Sequence, residues 1–296
     1  MPQSLFPSPF PSPSSRTSSA RPSDAAGEEQ RHAVRRVRHE LKRRRVRVQA
    51  VTRLTPHMLR VTFHGPDLAG FPSVGFDDHI KLILPRIEND IPSFPDLSAD
   101  GRTPSAGGAP AIMRDYTPGH FDPDALTLDV DFALHEAGPA TAWALQAQPG
   151  QEMMIGGPKG SFLIPDDFDW YLLMGDETAL PAIGRRLRTL PPQATALVFV
   201  EVASSADELS FSLHRRTQLT WLHRDGRAAG ETDLLEQALA RTDLPEGEGY
   251  CWIAGETLTA KRLRHMLVAR GQSGQWIRAS GYWKRGAAGF HDSHAD

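Results

Sequence analysis

At 296 residues, with 40% hydrophobic and 23% charged side chains, the chain has the composition of a globular protein with room for two modest domains. A formal net charge of −3 gives no global pull toward nucleic acid or membrane. The single cysteine, Cys251, excludes an internal disulfide and suits a reducing cytoplasm. No apolar run approaches the roughly 18 residues needed to span a bilayer. No Cys or His spacing marks a metal site, and the N-terminus lacks the basic start and apolar core of a secretory signal. These features lead us to expect a soluble, cytoplasmic protein with no nucleic-acid partner and no membrane insertion.

The chain opens on PQSLFPSPFPSPSSRTSS, a Pro/Ser/Arg-rich stretch expected to be disordered, and residues 1–40 are assigned to an N-terminal extension. Its lack of acids before Asp24 faintly suggests a transit peptide, but Pro7, Pro9, Pro11, Pro13 and Pro22 oppose the amphipathic helix such a peptide needs. A basic run follows: Arg35, Arg36, Arg38, Lys42, Arg43, Arg44, Arg45 and Arg47. It reads either as a polyanion patch or as a solvated segment leading into a strand, RVRVQAV, and the second is favoured because nothing else points to nucleic acid.

From 41 to 167 the hydrophobic period is two. LRVTF (59–63), HIKLIL (79–84) and MMIGG (153–157) are short strand-like runs between Gly and Pro. In ALTLDVDFAL, Leu126, Leu128, Val130, Phe132 and Leu134 alternate with Thr127, Asp129 and Asp131. Short strands with turn signals between them imply an antiparallel β-barrel, interrupted by a Pro/Gly-rich insertion, about 86–111, expected as a mobile loop. From 168 to 286 the pattern changes to continuous apolar strands (WYLLMG, TALVFVEV, YCWIAGE, then QWIRASGYW) alternating with helices. The helices are ALPAIGRRLRTL, a segment near 232–241, and LTAKRLRHMLVARG. That is the signature of an α/β layer with a parallel sheet, followed by a short tail, 287–296.

Within the barrel half, MRDYTPGHFD places a cation, an aromatic and a hydroxyl (Arg114, Tyr116 and Thr117) just before what reads as a Thr-Pro-Gly turn. The stretch is either a polar surface turn or a clamp for an anionic aromatic ligand such as a flavin dinucleotide, whose pyrophosphate suits a bidentate guanidinium. Downstream, Gly138-Pro139 opens a short helix with Thr141 in its first turn, and Ala140, Trp143, Ala144 and Ala147 form its apolar stripe. Its N-terminus is favoured as an anion site over a plain barrel-closing helix. In the second half the loop after the first strand, Gly175-Asp176-Glu177-Thr178, lacks the G-x-G-x-x-G fingerprint, and its acids would repel a pyrophosphate laid on them. Glu201 ends the second strand, where an acid commonly bonds a ribose hydroxyl, a weak pointer to NADH.

MRDYTP, DFALHEAGPATAWALQAQPGQ, GGPKGSF, GDETALPAI and ASGYWKRG, in this order over residues 40–287, resemble the siderophore-interacting protein family. The resemblance implies a ferredoxin reductase-like fold, with FAD between the barrel and the α/β domain, NADPH or NADH as electron donor, and a ferric siderophore as substrate. It implies Arg114 on the FAD pyrophosphate, Tyr116 stacked on the isoalloxazine and Thr117 at its N5 region, the last two as the catalytic pair. It places His79, His135, Gly138, Ala140, Thr141, Asp176 and Glu201 around the nucleotides. It also brings Lys81, Lys159, Lys284 and Arg285 to an anionic chelate. Many relatives carry a second Arg two residues after the Thr, where this chain has Gly119. The alternatives are a siderophore-binding protein with little redox activity, or a flavin oxidoreductase serving a ferredoxin or free flavin.

Overall fold

The computed structural model describes residues 31–88, 91–94, 111–134 and 138–287. The period-two half forms strands β1 (Arg35–Arg38), β2 (Arg43–Thr55), β3 (Met58–His64), β4 (Ile80–Ile83), β5 (Arg86–Glu88) and β6 (Ile91–Ser93). It continues with β7 (Met113–Tyr116), β8 (Pro118–Asp122), β9 (Thr127–Ala133), helix α1 (Pro139–Leu145), β10 (Glu152–Gly156) and β11 (Gly160–Leu163). Seven of these strands make one sheet in the order β7-β4-β10-β2-β3-β9-β8, and every pairing is antiparallel. The alternation puts Val46, Val61, Phe63, Leu82, Val130 and Phe132 inside. Ala140 and Ala144 of α1 close that core. On the outer face, Asp131 is buried against the opposite-strand Arg60, which grips it at 2.7 and 2.9 Å.

The two edge strands of this sheet, β7 and β8, are consecutive in the chain, separated only by Thr117. The sheet therefore curls until the ends of its two edge strands meet at a covalent seam, with no backbone ladder between β7 and β8. Here the expected Thr-Pro-Gly turn is corrected: Pro118-Gly119 is the start of β8, opposite β9. Proline is tolerated at the first position of an edge strand, so the tertiary pairing overrides the local turn preference. The insertion expected as a loop over 86–111 opens instead as the hairpin β5–β6, and residues 95–110 lie outside the described residues.

Regular structure is also present before the expected boundary at residue 40. β1 pairs with β11, and His32 is buried, with its ring stacked on Phe168 at 3.9 Å and its nitrogens on Asp167 (2.8 Å) and Glu248 (2.9 Å). Burial opposes its charged form, but the hydrogen bonds to the two carboxylates outweigh that, and its pKa is raised. A raised histidine stabilises the fold below its unfolded pKa, and that stability is lost as pH rises through the folded pKa. His32→Phe, which keeps the stack, is therefore expected to flatten the fall in the urea midpoint above about pH 6.5; an unaltered pH profile would discount the ion pairs. The basic run is likewise corrected at Arg44, expected in solvent but 2% exposed. It donates to the Gly157 carbonyl at 2.7 Å and lies over the Phe71 ring, so it braces the loop that carries Lys159.

The second half forms β12 (Trp170–Asp176), α2 (Leu180–Thr189), β13 (Thr195–Val202), β14 (Thr217–His223), α3 (Leu234–Arg241), β15 (Gly249–Glu256), α4 (Thr257–Ala269) and β16 (Ile277–Trp283). Its parallel sheet runs β14-β13-β12-β15-β16. β12 and β15 are buried along their whole length, as their continuous apolar sequences require. β14 is an edge strand, half-exposed and interrupted by Thr217, Gln218 and Thr220, which hid it from the apolar pattern. α2 packs on one face, and α3 and α4 on the other. From His32 onward the chain forms one compact unit.

Candidate active site

The barrel seam faces the parallel sheet. Thr117 is buried, and it lies beside the phenol of Tyr282, near the carboxyl end of β16. Arg185 of α2 reaches the same place, donating to the carbonyls of Pro118 (3.1 Å) and Ser73 (3.0 Å). Asp77, on the GFDDH loop, accepts from Arg278 (2.7 Å) and Trp252 (3.1 Å) of the parallel sheet. The seam is thus held from both sides, which sets the Thr117 backbone in a fixed strand edge rather than a mobile turn. Burial pushes the Tyr282 phenol well above its ordinary pKa, so it remains protonated.

Tyr116 pairs through its backbone with Ile80, and its ring centroid lies 4.5 Å from that of Phe132 at a 44° tilt. Burial raises its pKa too, which makes the phenol a neutral, flat surface rather than a titrating acid. Arg114 is half-buried on the same strand, and its Nη1 donates to the Met113 carbonyl at 2.8 Å. α1 begins at Gly138 with no side chain capping its first turn. Among the described residues a Cβ added at Gly138 would meet nothing nearer than Thr141 Oγ1 at 4.0 Å, which leaves room for a phosphate at this end of the helix. These residues fit a flavin dinucleotide: an aromatic face, a hydroxyl at the seam, a guanidinium and a helix start with no side-chain cap among the described residues. Trp143 is core, packed 6.1 Å from Phe63 and 6.0 Å from Phe132.

The remaining expected residues are placed unevenly. His79 is exposed beside the seam, and His135 lies outside the described residues. Gly119 approaches β9 closely: a Cβ there would come within 3.1 Å of the Asp129 carbonyl, a tight fit at the position where many relatives carry an arginine. Lys81 is paired across β4–β7 with Asp115 at 2.8 Å, and Arg285 with Glu231 at 2.7 Å. Lys159 and Lys284 are exposed. Asp176 and Glu201, expected on the nucleotide, are engaged within the protein. Asp176 caps the turn at Thr178, while Glu201 accepts from Thr232 at 2.6 Å and lies 3.5 Å from Arg224. The NADH pointer at Glu201 thereby loses its basis. Tyr282, Arg185 and Asp77 escaped the sequence reading; the signal for Tyr282 was its place at the end of a parallel strand, where ligands gather.

Two family models match in tandem, the siderophore-interacting FAD-binding domain over residues 47–162 and the siderophore-interacting protein domain over 168–286. The NADPH-dependent ferric-chelate reductase of Escherichia coli K12 is 35% identical over 254 residues, covering 84% of this chain and 95% of that protein. The chain belongs to the siderophore-interacting protein family. A crystal structure of a siderophore utilization protein from T. fusca has 39% sequence identity and a TM-score of 0.81, covering 88% of this chain and 99% of that one. The ferredoxin reductase of carbazole 1,9a-dioxygenase shares the fold at 16% identity, with a TM-score of 0.60 over 82% of this chain and 70% of that one. The architecture is ferredoxin reductase-like, and the barrel of this siderophore-interacting protein is an FAD-binding domain. Among the described residues no helix is long and apolar enough to cross a membrane.

Proposed function

We propose that this chain reduces ferric siderophores in the cytoplasm, using FAD and electrons from NADPH or NADH. The observation that carries the reading is the seam: Arg114, Tyr116 and Thr117 lie on the barrel edge that meets Tyr282 of the parallel sheet and Arg185 of α2. When bound, FAD supplies the conversion of a two-electron hydride donor into the single electrons that ferric iron accepts. The protein's own part is positioning. Arg114 and the α1 N-terminus, with Gly138, Ala140 and Thr141, hold phosphate; Tyr116 flanks the ring; Thr117, beside Tyr282, presents one hydroxyl at the reactive edge. His79 and His135 complete the surroundings of the flavin. Lys81, Lys159, Lys284 and Arg285 draw in an anionic chelate. Siderophore oxygens are hard donors that hold Fe(III) better than Fe(II), so reduction releases the metal without a protein ligand to iron.

The reading is tested on purified protein by its visible spectrum, by anaerobic bleaching with NADPH or NADH, and by reoxidation with ferric chelates. Colourless protein that takes up no FAD, or reduced protein that no ferric chelate reoxidises, ends it. Lys159→Glu is expected to weaken the reoxidation response to a triply charged ferric catecholate roughly five- to tenfold while sparing a neutral chelate. Equal effects on both would remove Lys159 from the chelate site. The paired Lys81 and Arg285 are expected to respond less, because each already faces a carboxylate.

A further inference from the structure

In an open parallel sheet the ligand crevice lies outside the carboxyl ends of the strands where their order reverses. In this sheet that is between β12 and β15. A dinucleotide uses such a crevice by laying its pyrophosphate on backbone N–H groups of the adjoining loop and helix start. Here those donors are taken by two of the chain's own carboxylates. Asp176 Oδ1 accepts from Thr178 N at 2.9 Å, and its Oδ2 accepts from Glu256 N at 3.0 Å and from Trp283 Nε1 at 2.7 Å. Glu256 Oε2 accepts from Leu258 N at 2.6 Å and Thr259 N at 2.9 Å, at the start of α4; its Oε1 accepts from Arg285 N at 3.4 Å.

The crevice is also full. Asp176 is 6% and Glu256 4% exposed, and a Cβ added at Gly255 (φ 147°) would meet Asp176 Oδ2 at 2.6 Å. Behind them stand Glu177 and Glu201, also buried, and the guanidinium there is committed: Arg224 grips Glu177 with two bonds of 2.7 Å. Burial and the neighbouring Glu177 raise the pKa of Asp176, the direction expected where negative charge is crowded. A doubly negative pyrophosphate brought here would find its donors occupied and four acids around it.

We infer that Asp176 and Glu256 are specificity-determining residues for the electron donor, excluding its pyrophosphate from the crevice between β12 and β15. The dinucleotide is then held by its nucleoside portions alone and leaves quickly once oxidised. The inference rests on the reductase reading, but its test is separate. On FAD-loaded wild-type protein, calorimetric titration is expected to show ADP-ribose binding no tighter than adenosine. In Glu256→Gln the amide oxygen can still accept from Leu258 and Thr259 while the charge is gone. That variant is expected to bind ADP-ribose about tenfold tighter or more, with adenosine unchanged. A residue that merely capped α4 would alter the melting temperature and leave that ratio alone. Wild-type ADP-ribose affinity well above that of adenosine overturns the inference, as does an unchanged ratio in Glu256→Gln. Should that variant fail to fold, the wild-type comparison decides. Anaerobic bleaching judges the reductase reading independently, so a protein that bleaches yet binds ADP-ribose far better than adenosine loses only this inference.

Discussion

Arg224→Leu is expected to lower the free energy of unfolding by about 3–5 kcal/mol, the usual cost of removing one partner of a buried ion pair. Arg224 is 4% exposed, binds both oxygens of Glu177 at 2.7 Å and lies 3.5 Å from Glu201. Without it the buried carboxylates of Glu177 and Glu201 lose the cation they share. Burial already lifts Glu201 above its ordinary 4.5 in the wild type, with hydrogen bonding from Thr232 and the charge of Arg224 opposing. Removing Arg224 drives that carboxyl further up. A folded-state pKa above the unfolded one means the folded protein binds the extra proton, so stability is lost as pH rises through that range. The deficit is therefore expected to be full near pH 7.5 and to shrink toward about pH 5, close to the unfolded carboxyl range. Urea unfolding at both pH values measures it, and a variant with the wild-type midpoint at the higher pH would remove Arg224 from the stability argument.

Arg114→Ala is expected to weaken FAD binding by about ten- to a hundredfold, the range set by losing charge-assisted hydrogen bonds to a phosphate. A guanidinium offers five N–H donors, and its anchor on the Met113 carbonyl, at 2.8 Å, uses one of them while orienting the fork. Arg114→Lys should recover only part of the affinity, because an ammonium keeps the charge but not the bidentate geometry. Apoprotein titrated with FAD, followed by flavin fluorescence, reads both variants. Equal affinity in wild type and Arg114→Ala would move the pyrophosphate elsewhere.

How far these residues were visible beforehand depended on the kind of signal each carries. β9 and β12 were plain, because a strand buried on one face alternates and a strand buried on both does not. The α1 start was plain for a similar reason: Gly-Pro before an apolar stripe is a local instruction. By contrast, β14 is an edge strand whose apolar pattern is diluted, and β1 is a basic segment that becomes a strand only because β11 offers it a partner. Arg44 in an arginine run looks like a solvated charge until Gly157 and Phe71 are brought to it.

The two-domain plan, a period-two barrel followed by alternating buried strands and helices, was legible from residue pattern alone, and so was Arg114-x-Tyr116-Thr117 as a candidate clamp. Those properties follow from side-chain periodicity and local backbone preference, which are written along the chain. Long-range packing, by contrast, made Thr117 a barrel seam rather than a turn, brought Tyr282 and Arg185 to it, and buried Asp176 and Glu256 between β12 and β15. These depend on contacts between residues 67 to 165 positions apart, such as Arg185 with Pro118 and Thr117 with Tyr282. No local preference encodes such contacts. A hydroxyl or a carboxylate acquires its role from what burial leaves beside it.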